Sequence, residues 1–217
     1  PVQKNDAQLK LYEPHYAYLK ISEGCSNHCT YCTIPKIRGS YQSKSLEEIV
    51  KEAKHQISLG AKELILIAED TTAWSGLPAL LQELVRLDIK WLRILYAYPS
   101  KISSELIAVL KKNTQICTYL DMPIQHVSNH ILKAMNRKYT KEDLLNLLKE
   151  IRKELPKIVL RTSLIIGFPG ETKEDHAELM SFIEQGFFDH IGCFSYSDEQ
   201  GTVAQKRKGK VGKRIIR

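Results

Sequence analysis

No apolar run in this chain approaches the roughly 18 residues that a bilayer crossing requires. The first residues read Pro1-Val2-Gln3-Lys4-Asn5, with neither a Met nor a charged-then-apolar pattern. We take that start as a cut from a longer protein, with residues 1–16 as a lead-in from a preceding domain. No internal repeat and no low-complexity segment appears before residue 203. Disulfide patterning is absent as well. The five cysteines are odd in number, and three of them crowd into eight residues. That usage points to a reducing, cytoplasmic setting away from membranes. A monomer is expected.

The body of the chain also lacks net charge. Its +7 comes from one place: Lys206, Arg207, Lys208, Lys210, Lys213, Arg214 and Arg217. Setting these seven aside leaves 25 basic and 25 acidic residues. Residues 203–217 are therefore expected to be a basic linker toward a following domain. A contact of this tail with RNA or a ribosomal surface is the alternative.

What is present is a regular alternation. Ala17–Ser22 alternates as a strand, and Ser45 to Leu59 then repeats with helical period. Ser45 with Glu48 forms a capping box, and Gly60 marks the stop; Thr140 with Asp143 and Thr172 with Asp175 cap two later helices. Further strands are expected at Leu64–Ala68, Trp91–Tyr96, Ile116–Asp121, Ile158–Ile166 and Asp189–Phe194. Helices are expected at Pro78–Leu87, Ser103–Lys111, Asn129–Met135, Lys141–Lys153 and from Thr172 to Gln185. Six strand–helix units of about 30 residues imply a parallel sheet with right-handed crossovers. A closed eight-unit barrel takes about 250 residues. The expected fold is therefore α/β, an open partial (β/α)6 barrel over residues 17–202, with a doubly wound sheet as runner-up.

In such folds chemistry gathers at the carboxyl ends of the strands. The cysteine run Cys25-Ser26-Asn27-His28-Cys29-Thr30-Tyr31-Cys32 follows the first strand. Its spacing is C-x3-C-x2-C. Three thiolates are one short of the four that a four-iron cluster takes, which leaves one iron open to a small molecule. Structural zinc prefers four closed ligands in two pairs, which this run does not offer. Cys117 and Cys193 read as small buried hydrophobes. The other strand ends carry Glu69-Asp70-Thr71-Thr72, Tyr96 and Tyr98, Gln125-His126, Gly167-Phe168-Pro169-Gly170-Glu171 and Ser195 to Thr202.

The cysteine spacing after the first strand of a partial barrel resembles the radical S-adenosylmethionine (SAM) superfamily. Within it, Ile21-Ser22-Glu23-Gly24-Cys25, Ile34-Pro35, Arg38-Gly39, Met122 to His126 and Arg161 to Thr172 resemble the methylthiotransferases. Ala68 to Thr72 and Tyr196 to Thr202 resemble the branch that modifies an aspartate of a ribosomal protein. Glu69 stands where that family commonly has Gln, and Val127 where it has Gly.

The resemblance implies a [4Fe-4S] cluster on Cys25, Cys29 and Cys32, with SAM chelating the open iron. It implies a carbon-centred radical at the aspartate β-carbon of a small-subunit ribosomal protein. Sulfur then comes from a second [4Fe-4S] cluster, held in an N-terminal domain that this chain does not contain. A C-terminal domain for ribosome or RNA contact is implied as well. The remaining cofactor contacts are expected from Tyr31 and Phe194 near the adenine and from Glu69 at the SAM amine. Gln125 is expected at the ribose, Arg161 and Ser163 inside the barrel, and Gly167 at a close backbone approach. Each has a plain structural alternative, such as packing for Tyr31 and Phe194 or an ion pair for Arg161. Methylthiolation of a tRNA adenosine, or a non-catalytic metal module docking on RNA, are the competing functions.

Overall fold

The computed structural model of the protein describes residues 15–212. The expected lead-in up to residue 14, and Lys213, Arg214 and Arg217 of the tail, lie outside the described residues. Among the described residues six parallel strands form the frame: β1 (Tyr16–Lys20), β4 (Glu63–Ile67), β5 (Trp91–Ile94), β6 (Tyr119–Asp121), β7 (Val159–Ile166) and β8 (His190–Ser195). They pair in chain order as two sheets, β1-β4-β5 and β6-β7-β8. A parallel bridge from Leu92 to Ile116 joins the two. A two-stranded antiparallel ribbon, β2 (Ser22–Glu23) with β3 (Gln42–Ser43), stands apart from this arc.

Among the described residues seven helices connect the strands: α1 (Ile34–Ile37), α2 (Leu46–Ser58), α3 (Leu77–Leu84), α4 (Ser104–Lys112), α5 (Asn129–Ala134), α6 (Lys141–Glu154) and α7 (Lys173–Ile183). The capping boxes read from sequence are all formed, at Ser45/Glu48, Thr140/Asp143 and Thr172/Asp175. Each satisfies amide donors that a helix start otherwise leaves open.

Strand alternation decides which way the sheet faces. Leu19, Leu64, Leu66, Leu92, Ile94, Leu120, Leu160 and Leu164 share one buried cluster with helix residues such as Ile49, Leu81, Leu106, Leu148 and Phe182. The alternate residues Tyr18, Lys20, Arg93, Tyr119, Arg161 and Ser163 are half-buried or exposed. Helices thus cover one face and leave the other open. A doubly wound sheet is covered on both faces, so this is the open partial barrel. The apolar layer carries the stability, since a Leu→Ala change within it costs about 2–5 kcal/mol. It leaves the strand ends free to hold unfavourable groups.

The outer strand departs from expectation. Cys193 is exposed on β8, not buried, and Phe194 is 56% exposed. The reason is position: β8 pairs only with β7 and forms the edge of its sheet. Cys117 is half-buried.

Candidate functional site

The cysteine loop springs from the end of β1. Gly24 has φ +71°, and a Cβ there would meet the Ser40 carbonyl oxygen at 2.4 Å. No other residue fits where the loop's two stems cross. The β2–β3 ribbon ties those stems together through Ser22↔Ser43 and Glu23↔Gln42. The loop's middle is fixed to the end of α5. Thr30 N donates to Met135 O at 3.1 Å, Thr30 Oγ1 to Ala134 O at 2.9 Å, and Asn136 Nδ2 to His28 O at 2.8 Å. Cys32 N donates to Cys29 O at 3.0 Å.

Cys25, Cys29 and Cys32 all line one cavity of ≈ 180 Å³ at the strand ends. Its other walls include Tyr31, Glu69, Tyr96, Gln125 and Arg137. Burial pushes the Cys25 thiol up, and the Asp70 carboxylate and the other two thiols add to this. Burial likewise raises Cys32, with Cys29 contributing. Such thiols keep their protons in the free chain and release them on binding a metal. Among the described residues no three His, Cys, Asp or Glu side chains converge to hold a single metal ion. A mononuclear zinc would gather its sulfurs at about 2.3 Å from one point. A cluster instead takes each thiolate on a separate iron.

Two groups opposite in charge complete the cavity. Glu69 Oε2 is buried and has no hydrogen-bond partner. A buried carboxylate oxygen without a donor is costly, and a ligand donor relieves it. Arg137 faces no carboxylate among the described residues. Its Nη2 donates to Pro123 O at 2.6 Å and its Nε to Tyr139 Oη at 2.6 Å. Nη1 lies 3.4 Å from Tyr31 Oη and 3.6 Å from Cys29 Sγ. The guanidinium stacks over Tyr98 at 4.2 Å and Tyr139 at 5.0 Å. A cation so enclosed by neutral groups is poised for an anion. Sequence reading missed Arg137, because one Arg between two helices carries no periodic or motif signal.

Backbone strain gathers here too. The non-glycine residues with left-handed φ among those described are His28, Tyr96, Gln125 and Asn136. Three of them line the cavity, and Asn136 holds its loop. Such conformations persist where the surroundings over-determine them. Gln125 is clamped by its N to Ser163 O at 2.9 Å and its O from Ile165 N at 2.8 Å.

Of the residues singled out from sequence, the structure brings together Cys25, Cys29, Cys32, Tyr31, Glu69 and Gln125. Arg161, Ser163, Gly167 and Phe194 are not on the cavity wall. Arg161 lies on the open face of β7 and pairs with Asp121 at 2.7 Å. Ser163 sits two residues further along that face, and Phe194 lies on the exposed edge strand. Gly167 has φ +77°, and its amide donates to Glu171 Oε2 at 2.5 Å. Instead of Gly167, the neighbouring Phe168 meets the cysteine loop, edge-on to both Tyr31 and Tyr196. His126 is fully buried, with Nδ1 accepting from Ser128 N at 3.0 Å. The first part of the expected linker is packed rather than free. Ala204 is fully buried and donates its amide to Thr30 O at 2.8 Å, and Gly170 N donates to Gly209 O at 2.8 Å.

Residues 19–183 match the Radical SAM superfamily. The chain is 51% identical over 223 residues to the ribosomal protein uS12 methylthiotransferase RimO of Clostridioides difficile (strain 630). That match covers 99% of this chain and 50% of the relative. The chain thus spans about half the length of the curated relatives it matches. Among solved structures it resembles the radical SAM methyltransferase TsrM from Kitasatospora setae, with a TM-score of 0.74 and 19% identity. That likeness covers 88% of this chain and 38% of TsrM. Coproporphyrinogen III oxidase (HemN) from Escherichia coli follows at a TM-score of 0.69 and 19% identity, covering 93% of this chain and 50% of that one.

Proposed function

This chain belongs to the radical SAM superfamily, and on that premise we propose that it is the cofactor-binding core of a ribosomal protein methylthiotransferase. The substrate is an aspartate of the small-subunit protein, modified at its β-carbon. One observation carries the reading: three thiols, an unpartnered carboxylate oxygen and an acid-free guanidinium share one cavity. That donor set fits a [4Fe-4S] cluster with SAM beside it. Cys25, Cys29 and Cys32 hold the cluster, because soft thiolates suit iron–sulfur centres. When bound, the cluster supplies the electron that cleaves SAM, and the hard chemistry is the cofactors' own.

The chain's residues bind, orient and exclude water. SAM ends in an α-amino acid, which carries an ammonium and a carboxylate. Glu69 Oε2 accepts from the ammonium, and Arg137 takes the carboxylate. Arg137 and not Arg161 takes this role, because Arg161 already pairs with Asp121. Tyr31 and Gln125 form the wall beside the nucleoside. Ser163 and Arg161 remain on the open face of the barrel, where a substrate side chain approaches.

The identity to uS12 methylthiotransferases favours a ribosomal protein over a tRNA adenosine. The longer relatives support further domains, including one with a second cluster that donates sulfur. The exposed Lys206, Lys208 and Lys210 support a contact with ribosomal RNA beside the site. Among the described residues no helix is long and apolar enough to cross a membrane. Action in the cytoplasm follows from the ribosomal substrate.

Anaerobic reconstitution with iron and sulfide, then SAM and a strong reductant, tests the reading. The expected result is cluster absorbance and 5′-deoxyadenosine, both abolished in Cys29→Ala. Bound zinc in place of iron, or full iron content in Cys29→Ala, overturns it. The full-length protein assayed on ribosomes and on tRNA decides the substrate.

A further inference from the structure

The mouth of the cysteine loop is held from a second side, independently of α5. Asp70 follows β4 and its side chain is 3% exposed. Its Oδ1 accepts from Thr72 Oγ1 at 2.7 Å. Its Oδ2 accepts from Asn27 Nδ2 at 2.7 Å and from Lys101 Nζ at 2.6 Å. Lys101, in the turn after β5, also reaches Asn27 Oδ1 at 3.1 Å and lies over the Tyr98 ring. Asn27 sits between Cys25 and Cys29. Three segments far apart in sequence thus close on one carboxylate.

We propose that Asp70, Lys101 and Asn27 are positioning residues, a latch that keeps the cysteine loop in its metal-binding shape. The electrostatics argue that the carboxylate has a mechanical purpose. An anion beside three thiolates opposes their ionisation, so for charge alone a neutral group would serve better. A carboxylate, however, is acceptor-only and takes donors on both oxygens at once, which an amide cannot do. Lys101 offsets the added charge and is itself bound to both sides of the latch. Partners behind metal ligands commonly change metal affinity by about 10–100-fold when lost.

The inference rests on the cluster reading above, and the test separates the two. Reconstituted protein is challenged with an iron chelator, and cluster absorbance is followed in time. Asp70→Asn and Lys101→Met are each expected to release iron about tenfold faster than the native chain. The double variant Asn27→Asp/Asp70→Asn moves the carboxylate across the latch, with Lys101 still between the two side chains and the net charge unchanged. It is expected to return to within about twofold of native release. Thermal midpoints of the metal-free proteins check folding. Lys101 is a partly exposed side chain, so its variant decides the matter if Asp70→Asn does not fold. Native-rate release in Lys101→Met, or a folded double variant that releases as fast as Asp70→Asn, overturns the latch. A native chain that loads no iron overturns the cluster reading instead.

Discussion

Arg137 and Arg161 sit in opposite circumstances. Arg161 stands on the open face of β7 with its side chain 41% exposed, and it has an acid, Asp121, at 2.7 Å. Arg137 lies in the loop after α5, enclosed by Tyr31, Tyr98, Tyr139 and Cys29, and has no acid at all among the described residues. A satisfied cation on an open face is explained by the fold. A cation whose donors meet a carbonyl, two hydroxyls and the Cys29 thiol but no carboxylate, set against a cavity, points to an anion that the cavity receives. The difference teaches where to look for ligand contacts: at charges whose partner the chain itself does not provide.

The largest expected effect sets the two side by side. Arg137→Met in reconstituted protein should weaken SAM binding by about 100-fold, as for a lost charged hydrogen-bond partner. Arg161→Met should leave SAM affinity within about threefold, because Arg161 does not touch the cavity. Equilibrium binding under anaerobic conditions measures both. Equal losses in the two variants would break the contrast. The order reverses for folding. Arg161→Met strands Asp121, whose side chain is 2% exposed, and should lower stability by about 2 kcal/mol after allowing for the exposure of Arg161. Chemical denaturation of the metal-free chain reads this loss.

The same contrast shows what a sequence reveals and what it hides. Strand and helix order was legible because burial on one face imposes a period on every element, from Leu19 to Phe182. The caps were legible because Ser45, Thr140 and Thr172 bond only three residues ahead. The cysteines were legible because three thiols in eight residues have few other uses. Arg161 looked functional from strand alternation, which tells which face a residue takes but not what waits there. Arg137, Asp70 and Lys101 depend on contacts between distant segments. Asn27 meets Asp70 across 43 residues and Lys101 across 74, and no local pattern encodes either pairing. The short α1 and the β2–β3 ribbon escaped notice because elements of two to four residues carry no period.

A smaller effect sharpens the charge assignment. Glu69→Gln keeps the shape of the side chain and removes its charge. With Arg137 intact, SAM should bind about tenfold more weakly, close to one charge-assisted hydrogen bond. A SAM analogue lacking the amino group should bind the native chain and Glu69→Gln alike. If the variant discriminates against that analogue as strongly as the native chain does, Glu69 is not the amine's partner.

The smallest effect connects the two regions. Asp121 holds Arg161 with Oδ1 and accepts the Tyr96 amide with Oδ2 at 3.2 Å. Tyr96 is strained at φ +59° and forms part of the cavity wall. Asp121→Asn keeps an acceptor for Tyr96 and a near-identical volume, and the freed Arg161 is partly solvated. Stability should fall by about 1 kcal/mol, and SAM affinity by no more than about threefold. A tenfold or greater loss of affinity would mean that the Arg161 region does govern the cavity, through the backbone of Tyr96. The contrast between the two arginines would then be one of distance and not of function.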